Sequence, residues 1–331
     1  MTTTLKKLAR YYYTILTPKQ KEVYKASLIG LKALEEEIKI PHIHKDDIDV
    51  VLNYIQLDDP LIFYVSSFKY TINKSGDAYL IKPKYKYPKQ FITDNTNKVI
   101  KYLQTFDTVK AKSDFEKELY VHDHCVENFS YDYSYNEHSY TILGPVLHKT
   151  AVCQGIARFV KLALDYLGVK SLEVIGKSKN PLTNMMEGHA WNMVKLEGIT
   201  YHLDVTFDMC LTTKQNRYDY FNLADIDIKK DHTITAKVPA CTTTKKDYYS
   251  LESMVVNSSK ELEDYIISRI KQGKKNIVLK VSGTNDTEKV KHKISEILKR
   301  HHAYSFRSIF GGGFNYTIST NPTQMVFELD L

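Results

Sequence analysis

The stretch HAWNMVKLEGITYHLDVTFD, residues 189–208, predicts two antiparallel strands that turn back at Glu197-Gly198. Glycine supplies the positive φ that a two-residue hairpin turn requires. The turn sets the register, and a shift of one residue would move the side chains of one strand to the opposite face of the sheet. In this register one face is mostly apolar and carries the pairs Leu196–Ile199, Val194–Tyr201, Asn192–Leu203 and Ala190–Val205.

The other face of this hairpin holds polar groups suited to proton transfer, and it pairs His189 with Thr206, Trp191 with Asp204, and Met193 with His202. His189 and Asp204 are diagonal neighbours about 7–8 Å apart at the backbone, so their side chains can meet. A polar face inside a protein needs a partner other than plain apolar core, and we expect a helix that carries Cys153 to cover it. His202 is a rival base, although a hydrogen-bonded structural role suits it better.

Cys153 lies in the segment AVCQGIARFVKLALDYLG, which predicts an amphipathic helix. The apolar residues recur every three or four positions, and Gly168 is placed to end the helix. Cys153 falls in the first turn, where free backbone N–H groups and the helix dipole favour a thiolate and could also hold an oxyanion. Most cysteines in soluble proteins are buried small hydrophobes, so this position indicates catalysis only if a base lies nearby.

These residues together form a catalytic hypothesis. Cys153 is the nucleophile, His189 is the general base, and Asp204 orients the imidazole and stabilises its positive charge. Histidine suits the middle role because it titrates near neutral pH and can therefore both take and return a proton.

Three stretches of the sequence resemble the transglutaminase-like superfamily, specifically bacterial proteins that carry this domain. They are AVCQGIARFVKLALDYLGV, GHAWNMVKLEGITYHLDVTFD and RYDYFNLADIDIKKDH, and the likeness is best over residues 140–232. The order Cys153, His189, Asp204, with spacings of 36 and 15 residues, fits the superfamily pattern. The resemblance implies an α+β fold with a papain-like core, in which the cysteine helix packs on an antiparallel sheet.

The resemblance also implies chemistry at an amide bond through a thioester on Cys153. The superfamily includes amide-crosslinking acyltransferases, peptidases, deamidating or deglycosylating amidases, and proteins without a demonstrated reaction. The sequence leaves open whether water or an amine accepts the acyl group, and whether the domain is a binding or scaffold module without turnover. Arylamine N-acetyltransferases share the triad order, but HKTAVC stands here in place of their Arg-Gly-Gly approach to the cysteine.

Both ends of the chain alternate helix and strand patterns. In the first third, KQKEVYKASLIGLKALEEE and KDDIDVVLNYIQL predict helices, and IFYVSSFKYTI and AYLIKPKYKY predict paired strands. In the last third, SKELEDYIISRIKQG and DTEKVKHKISEILKRHH predict helices around the strand KNIVLKV. We therefore expect two small α/β domains, at 1–112 and 246–331, that flank a catalytic core at 113–245.

Side chains near the expected site receive secondary predictions. Tyr140 is a candidate second oxyanion donor, and Trp191 is a candidate to stack on substrate or to shield the imidazole. Glu187 and Asp208 bracket the hairpin and are predicted to be solvated or turn-forming.

Cysteine usage and metal motifs argue against a metal or a cofactor. The four cysteines are too few and too scattered for a disulfide framework. HDHC, residues 122–125, does not predict zinc, because on a helix only His122 and Cys125 could reach one ion. The sequence lacks the paired C-x-x-C motifs of peptide N-glycanases, and the calcium dependence of the longer animal transglutaminases does not carry over. We expect no cofactor and no metal.

Charge and hydropathy indicate the class of partner. The net charge of +7 comes from lysines spread along the chain, and aromatic RNA-reading signatures are missing. We therefore expect a protein or peptide substrate and no nucleic acid, while the oligomeric state stays open. No apolar run approaches the roughly 20 residues of a membrane span, and the N-terminus lacks a secretory apolar region. The expected location is the cytoplasm, or the cell exterior or wall if a leader has been removed.

Overall fold

The secondary structure follows the apolar periodicity of the sequence, and the computed structural model describes residues 8–180, 184–305 and 315–331. The helices are α1 (Tyr11–Thr14), α2 (Pro18–Ala33), α3 (Lys45–Asp58), α4 (Lys89–Gln104), α5 (Asp114–Asn128), α6 (Cys153–Tyr166), α7 (Val205–Leu211), α8 (Asp225–Ile228), α9 (Tyr248–Leu251), α10 (Ser259–Lys271) and α11 (Thr287–Ser305). The strands are β1 (Ile38–His44), β2 (Val65–Ile72), β3 (Asp77–Tyr85), β4 (Ser130–Tyr131), β5 (Thr150–Ala151), β6 (Lys170–Lys179), β7 (Met186–Leu196), β8 (Ile199–Leu203), β9 (Phe221–Leu223), β10 (His232–Ile234), β11 (Val255–Val256), β12 (Asn276–Val281), β13 (Thr317–Asn321) and β14 (Val326–Asp330).

Local hydrogen bonds explain where several helices begin. The side chains of Thr17 and Ser113 each accept a bond from the backbone N–H three residues later, and Gln20 and Glu116 return the bond. These reciprocal caps satisfy backbone donors that helix starts leave unpaired. The helices predicted in the first and last thirds of the sequence are confirmed. Within the described residues, no helix combines the length and the apolar character needed to cross a bilayer.

The chain divides into two compact units. The first comprises Met1–Tyr220 and His232–Cys241, and the second comprises Phe221–Asp231 and Thr242–Leu331. The α+β class and the packing of the cysteine helix on an antiparallel sheet are confirmed. The division into a core and two flanking domains, with boundaries after residues 112 and 245, stays a prediction.

The first unit is organised around an antiparallel sheet. Strands β10, β6, β7 and β8 follow one another with antiparallel pairing. The predicted hairpin register is confirmed over the paired part of β7 and β8, where Asn192 lies opposite Leu203 and Met193 lies opposite His202. A smaller antiparallel sheet in the same unit has the order β1-β3-β2.

The predicted hairpin was too long at its C-terminal end. The second strand stops at Leu203, and Asp204 is the N-cap of α7. The expected pairs of Asp204, Val205 and Thr206 with β7 are therefore wrong. An N-cap side chain that bonds the backbone at the start of a helix competes with a continued strand, and Asp204 makes that bond.

The position of the cysteine helix also differs from the expectation. His189 and Asn192 are an odd number of residues apart in an unbroken stretch of β7, so they point to opposite faces of the sheet. Asn192 Nδ2 donates to the backbone carbonyl of Ala157 in α6, at 2.9 Å. The body of the helix therefore packs on the Asn192 face, and its first residue, Cys153, is the part that meets His189.

The second unit contains a mixed sheet in the order β11-β12-β14-β13. The β11–β12 pair is parallel, and the other two pairs are antiparallel. Helices α10 and α11 contribute apolar side chains to the core of this unit. One cluster of buried hydrophobic residues in this unit comprises Val256, Leu262, Ile266, Ile277, Leu279, Val281, Val290, Ile294, Ile297, Leu298, Met325, Phe327 and Leu329.

Candidate active site

Cys153 is the first residue of α6, as the sequence predicts, and it is partly exposed. The preceding Val152 is the N-cap and has no side-chain group that could cap the helix. The backbone N–H of Val152 donates to the carbonyl of Ser139 at 3.1 Å, which ties the loop before the helix to the helix start. Because helix N-termini leave several N–H groups without backbone partners, Cys153 lies where an anion is favoured.

The structure brings Cys153, His189 and Asp204 together. The His189 ring nitrogen Nε2 lies 2.6 Å from Asp204 Oδ2. The Cys153 side chain forms a hydrogen bond with His189. Since Nε2 is engaged by the carboxylate, Nδ1 is the ring nitrogen left to face the thiol. The three side chains thus form a continuous chain of hydrogen bonds from sulfur to carboxylate.

His189 and Asp204 strongly shift each other's pKa. Burial disfavours a charged imidazole, but the charge and hydrogen bond of Asp204, with the Cys153 side chain, outweigh burial and raise the pKa of His189 to about 10. Burial would also raise the pKa of Asp204, yet His189 and His232 hold that pKa well below its usual range. At neutral pH the pair is therefore imidazolium and carboxylate.

Asp204 is held by contacts on both of its oxygens. Oδ1 accepts the backbone N–H of Phe207 at 3.1 Å, which caps α7. Oδ2 accepts from His189 and also from His232, whose Nε2 lies 3.0 Å away. The backbone N–H of Asp204 donates to the carbonyl of Tyr220 at 3.0 Å. The carboxylate is fully buried, and these contacts fix its position.

Aromatic rings enclose the imidazole of His189. The Trp191 ring stacks nearly parallel to it, with centroids 5.8 Å apart, and Phe207 meets it edge-on at 5.1 Å. Trp191 is buried and donates from Nε1 to His202 Nδ1 at 3.1 Å. Of the roles considered for Trp191, shielding of the imidazole agrees with this geometry. His202 is the hydrogen-bonded structural histidine that the sequence favours.

A buried ion pair anchors the helix that Asp204 caps. Asp208, in α7, lies 3.2 Å from Nε2 of His122 in α5 and accepts the backbone N–H of Tyr220 at 2.9 Å. The prediction that Asp208 is solvated or turn-forming is therefore wrong, because Asp208 is buried. His122 and a backbone donor compensate the cost of burying its carboxylate. Glu187, by contrast, is exposed.

The HDHC segment is used for packing. Both ring nitrogens of His122 face carboxylates, of Asp123 at 3.0 Å and of Asp208. His124 Nε2 lies 2.8 Å from the hydroxyl of Tyr102, and Cys125 is buried. Elsewhere, His189, Asp204 and His232 each offer one possible ligand atom, and these three atoms lie within 4.8 Å of one another, close enough to share a cation. In the structure, Nε2 of His189 and Nε2 of His232 are both hydrogen-bonded to the carboxylate of Asp204.

Tyr140 lies at the end of a 3-10 turn, Glu137–Tyr140, and lines a cavity of about 240 Å³ with Phe63, Lys86 and Arg158 among its walls. Its ring is partly exposed, and its backbone carbonyl accepts from Arg158 at 2.8 Å. The role of Tyr140 as an oxyanion donor stays a prediction. Burial and the proximity of Cys153 raise the pKa of Tyr131.

The His189–Asp204 pair predicts a pH dependence of stability. Because the pKa of His189 rises from 6.5 to about 10 on folding, its contribution is complete below pH 6.5 and is lost towards pH 10. Because the pKa of Asp204 falls below 3.8, its contribution is present above that pH and is lost in stronger acid. We expect His189→Gln to cost about 2–4 kcal/mol in free energy of unfolding at about pH 6.

Urea denaturation of wild type and His189→Gln across pH measures this effect. The difference between the two proteins should shrink steadily as pH rises from 6.5 towards 10, because in this range the folded wild type holds a proton on His189 that the unfolded chain has lost, and holding it becomes more costly as pH rises. A difference that is constant or that grows over this range would contradict the assignment of charge to the pair.

His232 is the site residue that the sequence analysis missed. It lies inside the stretch RYDYFNLADIDIKKDH that carries the resemblance, but 28 residues after Asp204 and on a strand of its own. The alternation of side chains between sheet faces predicts neighbours only within one hairpin. Strand β10 instead pairs with β6, on the side of β6 opposite β7. An alternating pattern of only three residues gives no signal of that placement.

Comparison with known proteins gives a domain assignment. A family model described as Transglutaminase-like superfamily matches residues 102–205, a range that includes Cys153, His189 and Asp204. Members of that superfamily include cysteine acyltransferases and proteases. A comparison with curated proteins found no match.

Three solved structures are similar at low identity. A structure titled as that of a TGase is 14% identical, with a TM-score of 0.33, over 66% of this chain and 57% of its own. A candidate cysteine protease from Cytophaga hutchinsonii is 11% identical, with a TM-score of 0.25, over 42% of this chain and 61% of its own. A candidate protease from Parabacteroides distasonis is 16% identical, with a TM-score of 0.26, over 42% of this chain and 31% of its own. The chain thus spans less than two thirds of the length of each of these structures. Its residues 102–205 form a transglutaminase-like domain.

Proposed function

We propose that the protein is a cysteine-dependent enzyme that attacks an amide bond of a protein or peptide and forms a thioester on Cys153. The observation that carries this proposal is the chain of hydrogen bonds from Cys153 through His189 to the buried Asp204. A nucleophile, a base and an orienting carboxylate in contact are the parts that covalent acyl transfer requires. The domain assignment agrees with this chemistry.

The first half-reaction acylates the cysteine. The imidazolium of His189 supports a thiolate on Cys153, because opposite charges in contact stabilise each other. The thiolate attacks the carbonyl carbon and the carbonyl oxygen becomes an oxyanion. His189 then gives its proton to the leaving nitrogen, the C–N bond breaks, and the thioester remains with a neutral imidazole.

The second half-reaction releases the acyl group. A water molecule or a primary amine attacks the thioester carbon while His189 takes its proton. The C–S bond then breaks, which restores the thiolate beside the imidazolium. Asp204 stays ionised throughout and stabilises the imidazolium each time it forms.

The start of α6 supplies the electrostatic part of the mechanism. Helix starts leave backbone N–H groups without helical partners, and no side chain of the N-cap residue occupies them in α6, so these groups are the candidate donors to an oxyanion beside Cys153. Donors that are already oriented cost no reorganisation when the charge appears, so they stabilise the transition state more than the ground state.

One assay tests both the activity and the acceptor. Purified protein receives a glutamine-containing protein and a labelled primary amine, and amine incorporation, ammonia release and backbone cleavage are measured together. Cys153→Ala is the inactive comparison, and Cys210→Ala, which removes an exposed thiol of α7, is the matched control. We expect at least one product to require Cys153 and to persist in Cys210→Ala.

The products decide between the possible reactions. Amine incorporation identifies a transglutaminase, ammonia release without incorporation identifies a deamidase, and backbone cleavage identifies a peptidase. If none of the three products depends on Cys153, across glutamine-containing and general peptide substrates, the enzymatic proposal fails and a binding or scaffold module is the remaining function.

A further inference from the structure

The carboxylate of Asp204 is shared by two imidazoles. Nε2 of His189 lies 2.6 Å and Nε2 of His232 lies 3.0 Å from the same oxygen, Oδ2. An ionised carboxylate only accepts hydrogen bonds, so both Nε2 atoms carry hydrogen and donate. Asp204 therefore receives three donors, these two and the backbone N–H of Phe207.

His232 is built into this position by the sheet. It begins β10, which pairs with β6, so its strand is fixed beside the strand that neighbours His189. Gly176 in β6 permits the close approach of β10, since a Cβ at that position would lie 2.2 Å from the carbonyl oxygen of Thr233 and 2.7 Å from the Trp191 ring. The absence of a side chain at Gly176 thus serves the placement of both Trp191 and β10.

The surroundings of His232 leave it no solvent contact of consequence. The residue is only 3% exposed. Four rings pack around its imidazole, with centroid distances of 5.1 Å to Trp191, 4.7 Å to Phe207, 5.7 Å to Tyr220 and 5.3 Å to His189. A buried polar ring in such a setting is costly unless its hydrogen bond is used, and the bond goes to the catalytic candidate Asp204.

We propose that His232 is a positioning residue, which holds Oδ2 of Asp204 against His189 and thereby keeps the imidazolium of His189 directed at Cys153. This inference rests on the proposed function. His232 itself does not touch the sulfur or the reacting atoms in this scheme, and it acts through the carboxylate. Without its donor, Oδ2 would keep a single charged partner and the carboxylate could rotate about Cα–Cβ.

Other titratable groups face the same carboxylate and imidazoles. His189 approaches Asp204 from β7, and Cys153 approaches His189 from α6. Cys210, on α7, interacts electrostatically with Asp204 and Cys153. The Tyr220 ring packs on His232. Because these groups are unchanged in a His232 variant, a shift in pH dependence on substitution at 232 reports the loss of its hydrogen bond.

Two substitutions separate the hydrogen bond from the packing. His232→Phe keeps a planar ring among the aromatic neighbours but removes the donor. His232→Gln keeps a non-titrating N–H donor whose reach resembles that of Nε2. The measurements are kcat/KM against pH, once a substrate is in hand, and the rate of Cys153 alkylation by iodoacetamide against pH, with thermal unfolding as the check of folding.

We expect His232→Phe to lose about tenfold to hundredfold in kcat/KM, the scale of a charge-assisted hydrogen bond. The limb of both pH profiles that is set by the imidazolium of His189 should move downward by about one pH unit, because a carboxylate that is held less firmly stabilises this charge less. His232→Gln should stay within about threefold of wild type, with the His189 limb unshifted, because the amide donor replaces the lost one.

Each outcome decides the matter. A His232→Phe variant with wild-type activity and pH profiles overturns the proposal, and so does equal damage in both variants with unshifted profiles, since that would mean packing alone. Should His232→Phe fail to fold, His232→Gln decides: retained rates and profiles support positioning, and a loss above tenfold refutes it. If no substrate is turned over, the proposed function fails separately, while alkylation still shows whether His232 controls the site.

Discussion

Asp204→Asn is expected to lower kcat/KM by about 10³–10⁴-fold, the effect that loss of the orienting carboxylate has in a triad. Asparagine has nearly the same shape and is a good N-cap, so α7 should still begin at residue 205. The neutral amide cannot stabilise a charged His189, whose pKa Asp204 raises to about 10. The imidazole then becomes neutral near pH 7, and the thiolate of Cys153 loses its counter-ion.

Steady-state kinetics on the Cys153-dependent reaction measures this loss. Asp94→Asn, an exposed carboxylate on α4, is the matched control and should stay within about twofold of wild type. Thermal unfolding separates a catalytic loss from a folding defect. An Asp204→Asn protein that is folded and retains more than a tenth of wild-type kcat/KM would show that the carboxylate does not support catalysis.

Gly155→Ala is expected to lower the free energy of unfolding by about 2–3 kcal/mol, although alanine is the better helix former by about 1 kcal/mol. A Cβ on Gly155 would lie 2.2 Å from the backbone carbonyl oxygen of Ser139 and 2.9 Å from the Cβ of Ala151. The carbonyl belongs to the loop that accepts the Val152 N–H, so it cannot move without breaking the contact before Cys153. Activity should therefore fall together with stability.

Gly188→Ala is the matched glycine control for stability. A Cβ there would meet no atom within 4 Å, so the free energy of unfolding should change by less than about 0.5 kcal/mol. Chemical denaturation at one pH compares the three proteins. If Gly155→Ala proves as stable as wild type or more so, the close approach of the Ser139 loop to the start of α6 is wrong.

The hairpin shows how far local sequence determined the site. Alternation about Glu197-Gly198 gave the register of Asn192 opposite Leu203, which the structure has. It also placed His189 and Asp204 near each other, and their side chains are in contact. The spacing of the apolar residues alone likewise predicted that Cys153 lies in the first turn of α6. These features depend on interactions among residues close in sequence.

Features that depend on pairing between residues far apart in sequence could not be predicted from the sequence. The pairing of β10 with β6, which brings His232 to Asp204, joins segments more than fifty residues apart and follows no pattern within either one. Asp208 was taken for a solvated residue because its buried partner, His122, precedes it by 86 positions. The end of β8 was misplaced because Asp204 is compatible with strand alternation until its capping bond is known.

The proposed chemistry depends on an ion pair between Cys153 and His189, and alkylation of Cys153 across pH tests it most directly. Iodoacetamide labelling at each cysteine is followed by peptide mass spectrometry from about pH 5 to pH 9. The expected result is labelling of Cys153 at about pH 6 that is much faster than that of Cys210, whose pKa burial and the charge of Asp204 raise to about 11, and that slows in His189→Gln. Labelling of Cys153 at about pH 6 that is as slow as that of Cys210, or that His189→Gln leaves unchanged, would contradict an activated thiol and with it the proposed chemistry.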